Sequence, residues 1–99
     1  VAKVFIYLGY SIYIYSDDHL PVHVHVIKQG RESKFELRYN SGELTVICAK
    51  IKGKAPLKDD ETAEIKRFIN KYHLKIKDQW DTIHFFKKKA EIIIIRKHV

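Results

Sequence analysis

Histidine changes charge near neutral pH and is a common metal ligand, so clustered histidines point to proton transfer or metal binding. Three of the six histidines in this chain lie within seven positions, in Tyr15-Ser16-Asp17-Asp18-His19-Leu20-Pro21-Val22-His23-Val24-His25-Val26. Two aspartates stand just ahead of them. His23 and His25 alternate with Val22, Val24 and Val26, the pattern of a strand with one apolar face. Successive side chains on a strand point to opposite sides, so both histidines share one face, about 7 Å apart. Ser16-Asp17-Asp18 is turn material, and Pro21 cannot donate a ladder hydrogen bond. Residues 16–21 therefore read as a loop that holds Asp17, Asp18 and His19 at the mouth of the strand.

Three readings fit this stretch. The first is acid–base chemistry without a cofactor, on His19, His23, His25 and Asp18 as the catalytic set. In its sharpest form it is RNA cleavage. One of His23 and His25 takes the 2′-hydroxyl proton, the other protonates the leaving oxygen, Asp18 orients His19, and Arg31 or Lys34 neutralises the phosphate. The second is a metal site on His19, His23, His25 and Asp17 or Asp18, a donor set that suits Zn, Ni, Cu or Fe. The third is a structural polar face within a binding module. No serine or cysteine stands in a setting that would activate it as a nucleophile, and no glycine-rich phosphate loop is present.

The elements that must position these residues follow from periodicity. Residues 4–8 and 11–15 are two aromatic and β-branched runs around Gly9-Tyr10, which suits a two-residue hairpin loop. In that register Leu8 opposes Ser11, Ile6 opposes Tyr13 and Val4 opposes Tyr15. The strand at 22–28 turns at Gln29-Gly30 into a strand at 31–39, where Ser33, Phe35, Leu37 and Tyr39 alternate with Lys34, Glu36 and Arg38. Asn40-Ser41-Gly42 leads into a strand at 43–52. Its period of two lines up Lys50, Lys52 and Lys54, which suits either a nucleic-acid backbone or a charged sheet edge. With Arg31 and Lys34, these three lysines form the candidate nucleic-acid-binding set.

After Ala55-Pro56, Asp59 or Asp60 offers a helix N-cap. From there Ile65, Phe68, Ile69, Tyr72, Ile76, Trp80 and Ile83 recur every three or four residues, an amphipathic stripe over about 60–87. A straight helix of that length would overhang a small sheet, so two helices with a bend near residues 70–73 are expected. Ile92 to Ile95 reads as a terminal strand buried on both faces, closing the sheet or adding to a neighbouring chain. The expected fold is one α+β domain over residues 1–99. An antiparallel β-meander of about five strands comes first, then one or two helices on the sheet and a C-terminal strand.

The segment Tyr-Ser-x-Asp-His-x-Pro-x-His-Val-His-Val resembles the signature of a bacterial family of small proteins classed as a domain of unknown function. The similarity covers about residues 4–88. It includes Phe5-Ile6-Tyr7-Leu8-Gly9-Tyr10, the hairpin at Gly30-Arg31-Glu32-Ser33-Lys34-Phe35 and Trp80. The matching signature positions are Asp18, His19, Pro21, His23 and His25. The resemblance implies pairing with a second small protein, in the manner of toxin–antitoxin couples.

Nineteen Lys and Arg against twelve Asp and Glu give a net charge of +7, which steers the chain toward polyanions or an acidic partner, RNA among them. A lone cysteine, Cys48, excludes an intrachain disulfide and fits a cytoplasmic setting. No apolar run approaches the roughly 20 residues of a membrane span, so no membrane partner is expected. Expected partners are a small protein or a second copy, held through a strand edge.

Overall fold

The computed structural model describes residues 1–99. The chain order is β1 (Ala2–Tyr7), β2 (Tyr10–Ile14), β3 (His23–Lys28), β4 (Arg31–Asn40), β5 (Glu43–Lys50), α1 (Asp59–His84) and β6 (Ile93–Ile95). All six strands form one sheet in the order β5-β4-β3-β2-β1-β6. The architecture is α+β, and every pairing is antiparallel except β1 with β6.

The three tightest connections share one chemistry. Leu8-Gly9, Gln29-Gly30 and Ser41-Gly42 each place two successive residues at positive φ. That is the backbone of the hairpin loop whose twist matches the flanking strands, and glycine at its second position adopts it without strain. The first of these corrects the expected register. The loop is Leu8-Gly9 rather than Gly9-Tyr10, so Tyr7 pairs with Tyr10 and Phe5 with Ile12. A bulge at Val4 then brings Lys3 opposite Tyr13. Each partner moves by two or three positions. Near the turn the move is two, which leaves every side chain on its expected face.

The core lies between the sheet and α1. Phe5, Tyr7, Ile12, Ile14, Val24, Val26 and Phe35 are fully buried and meet Ile65, Phe68, Ile69 and Ile76 of the helix. Phe68 packs edge-on against Phe5 and tilted against Tyr7, at ring-centroid distances of 5.4 and 4.6 Å. The helix stripe is thus the one its spacing announces. Neither candidate aspartate caps the helix; Lys58 holds the cap position and its N–H donates to the Glu61 carboxylate at 2.8 Å. Asp59, Asp60 and Glu61 fill the first turn, where the helix dipole favours them.

A straight helix of 26 residues would run about 39 Å, longer than the 34 Å longest extent of the molecule. The helix accordingly breaks at Tyr72 (φ −110°, ψ 16°), inside the expected bend. The helical segment is thus two helices meeting at a kink, as expected, and both halves are kept under the label α1. No helix is long and apolar enough to cross a membrane.

Two further expectations change. β5 ends at Lys50, and residues 51–54 form a turn with Gly53 at positive φ. Lys52 and Lys54 therefore leave the strand, and the stripe with Lys50 does not extend along a single face. The isoleucine strand β6 closes the sheet beside β1, but as an edge. Ile92 and Ile94 are about half exposed, because nothing covers the outer side of an edge strand here.

Candidate metal centre

Three of the four β–β connections are two-residue turns; the fourth, residues 15–22, carries the site. Its first residues fold back on themselves. The Asp18 N–H donates to the Tyr15 carbonyl at 3.1 Å, and the Tyr15 N–H donates to Asp18 Oδ2 at 3.2 Å. This turn sets the Asp18 carboxylate over β3. The alternation of β3 sends Val24 and Val26 into the helix-facing core and His23 and His25 to the other side.

There Asp18 meets both rings through one oxygen. Its Oδ2 lies 3.1 Å from His23 Nε2 and 3.7 Å from His25 Nε2. The other ring nitrogens face acceptors. His23 Nδ1 donates to the Pro21 carbonyl at 2.9 Å, and its Nε2 faces Asp18. His25 Nδ1 stands 3.3 Å from the Glu32 carboxylate. Neither nitrogen of His25 makes an aligned hydrogen bond, although both are buried. One atom each from Asp18, His23 and His25 lies within 4.8 Å of the other two.

The surroundings hold this arrangement still. Tyr15 stacks on His25 at 4.1 Å between ring centroids, and its hydroxyl donates to Glu32 at 3.2 Å. Trp80 of the helix lies 5.3 Å from the His23 ring and stacks on His84 at 4.0 Å. His84 Nε2 faces the Tyr15 carbonyl at 3.1 Å, which ties the helix end to the start of the site loop. Burial pushes the His25 imidazole below its ordinary pKa, against the opposing pull of Asp18 and Glu32. Burial, with Glu32 beside it, raises the Tyr15 phenol. His23 and His25 are each 8% exposed.

Of the catalytic set read from the sequence, Asp18, His23 and His25 come together and His19 does not. His19 is exposed on the loop, and Asp18 turns to the strand histidines instead of orienting it. Asp17 is likewise exposed. Arg31 does not approach the histidines; it forms a two-pronged pair with Glu61 at the helix start. Lys34 is the cross-strand neighbour of His25, and its amine sits 3.7 Å from Glu36. Lys50 and Lys52 are exposed, while Lys54 reaches Glu32 at 4.0 Å. Glu32, Trp80 and His84 are members of the site's surroundings that the sequence reading left out. For Glu32 a signal existed: the alternation Lys34, Glu36, Arg38 continued one step back puts Glu32 on the histidine side.

No curated protein and no solved structure matches the chain. A family model described as a domain of unknown function (DUF4160) matches residues 9–81. That span runs from the first hairpin turn past Trp80 and contains Asp18, His23, His25 and Glu32. The chain belongs to the DUF4160 family.

Proposed function

We propose that this protein binds a divalent transition-metal ion on Asp18 Oδ2, His23 Nε2 and His25 Nε2. The observation that carries the proposal is the convergence of those three atoms with both Nδ1 atoms facing acceptors behind them. Metal-bound histidines usually direct the other ring nitrogen to a carbonyl or carboxylate, which fixes the ring and the tautomer. Pro21 and Glu32 stand in those two places. Both Nε2 atoms converge on one carboxylate oxygen and the buried His25 has no aligned partner; an ion held between the three would give each of them one. Three protein ligands leave coordination positions for water or a substrate, as in catalytic rather than closed structural sites. Imidazole with carboxylate suits Zn(II) or Fe(II) better than Mg(II) or Ca(II).

Metal-independent RNA cleavage by the two histidines fits this geometry less well. Each Nε2 is turned to Asp18, each Nδ1 to a fixed acceptor, and both rings are mostly closed off from solvent. A ribose hydroxyl would have to enter where Asp18 sits. The test is elemental analysis of untagged protein, followed by titration of metal-stripped protein with Zn(II) and Fe(II). One equivalent of tightly held ion, lost in Asp18→Asn and in His23→Gln, supports the assignment. RNA cleavage by metal-stripped protein that persists in chelator would return the histidines to acid–base work.

A second reading concerns partners. β5 stands at the end of the sheet with no strand on its outer side, and it is eight residues long. Such an edge accepts a strand from another chain, and the small-protein pairing implied by the family resemblance would use it. Size-exclusion chromatography with light scattering, comparing wild type with Ile47→Lys, tests for association through this edge.

A further inference from the structure

A second surface lies where the helix ends. Phe85 is 80% exposed and Phe86 65% exposed, with ring centroids 5.8 Å apart. Lys87, Lys88 and Lys89 follow directly, all exposed, and none joins an ion pair. Beside them Leu20, Val22, Trp80, His84 and Phe85, together with the ion-paired Lys77 and Asp81, line a cavity of about 540 Å³. Two bare aromatic rings cost free energy in water, so their position next to a largely apolar cavity and three unpaired cations calls for a ligand with both flat apolar faces and negative charge. The backbone adds to this. Lys87 sits at φ +55°, a conformation that glycine adopts with less strain, so local geometry does not account for a lysine there.

We infer that the Phe85-Phe86 pair, the Lys87-Lys88-Lys89 run and the adjoining cavity bind single-stranded nucleic acid. Bases stack on the exposed rings, one base enters the cavity beside Trp80, and the lysines follow the phosphates. This combination of aromatic platform and basic track is the general chemistry of single-strand binding. A membrane surface would also attract aromatics and lysines. It offers nothing flat to fill the cavity walled by the Trp80–His84 stack. The site uses lysines other than Lys50, Lys52 and Lys54, and it shares Trp80 and His84 with the surroundings of the histidines.

The test uses metal-stripped protein and a short fluorescein-labelled oligouridylate, read by anisotropy over a salt series. Binding should be measurable at low salt. Phe85→Ala and Phe86→Ala should each weaken it by about 5- to 150-fold. Replacing Lys87, Lys88 and Lys89 with Gln should flatten the slope of log affinity against log salt by about 2. All these side chains are exposed, and unchanged melting curves confirm that the variants fold. Trp80, the single tryptophan, should lose emission on binding unlabelled oligouridylate. Failure to bind, indifference to both phenylalanine changes, tighter binding of duplex than of single strand, or preferential capture by anionic phospholipid vesicles each overturns the inference.

Discussion

Replacing His25 with leucine should raise the stability of the metal-free protein and abolish the stabilisation that metal confers. His25 is buried with both ring nitrogens lacking an aligned hydrogen bond. A buried polar group in that condition costs about 1–3 kcal/mol. Leucine has similar volume and no polar atoms, and it can still pack beneath the Tyr15 ring that now lies 4.1 Å from the imidazole. Glu32 keeps the Tyr15 hydroxyl, and Asp18 keeps His23 and the Tyr15 N–H, so neither carboxylate is stranded by the change. In a domain of this size about 1 kcal/mol moves the melting temperature by about 4–8 °C. Calorimetry in chelator should therefore place His25→Leu at least several degrees above wild type. With free metal at about a hundred times its dissociation constant, wild type gains about 2.7 kcal/mol and the variant gains nothing. The order of stabilities narrows or reverses between the two buffers. If His25→Leu melts well below wild type in chelator, the imidazole is already satisfied by its neighbours, and the site has no need of an ion.

Other outcomes follow from the same geometry. Glu32→Gln removes the charge behind His25 Nδ1 and should weaken metal binding by about 10- to 100-fold by calorimetric titration. His19→Ala should leave that affinity unchanged, since the ring stands apart from the site. The Arg31 guanidinium holds the Glu61 carboxyl down to about pKa 2 from 4.5. A carboxyl lowered on folding stabilises the protein above its unfolded value and loses that contribution as pH falls toward the folded one. The stability of wild type should thus decline from about pH 4.5 to 2 more steeply than that of Glu61→Gln, as read by denaturant midpoints. Phe68→Ala empties the centre of the core between Phe5 and Tyr7 and should cost about 3–5 kcal/mol in urea unfolding.

The alternation of Val22, His23, Val24, His25 and Val26 is enough to place two imidazoles on one face, because strand geometry is local. Which acid joins them is not legible in this way. Asp18 rather than Asp17 or His19 turns inward because of the Tyr15–Asp18 turn, and loop geometry of that kind is set by a few hydrogen bonds, not by periodicity. Glu32 could be reached by extending a visible pattern by one step. Trp80 and His84 lie more than fifty residues away and become neighbours only through packing. The first hairpin misled because its left-handed position is taken by Leu8, a residue that seldom adopts it. The four isoleucines misled because hydrophobicity alone does not tell a central strand from an edge strand.

The pairing of β6 with β1 carries a consequence for how the chain reaches its native state. Phe5 waits for Ile93, nearly ninety residues later, before its strand gains an outer neighbour. The hairpins from β1 to β5 close over short distances and can form early, whereas this last pairing must close almost the entire chain into a loop. Contacts of such sequence separation are slow to form. Until they do, an apolar strand, Val4-Phe5-Ile6-Tyr7, presents unpaired backbone to any other chain nearby. A three-residue isoleucine strand is therefore the long-range closure that covers the outer edge of β1.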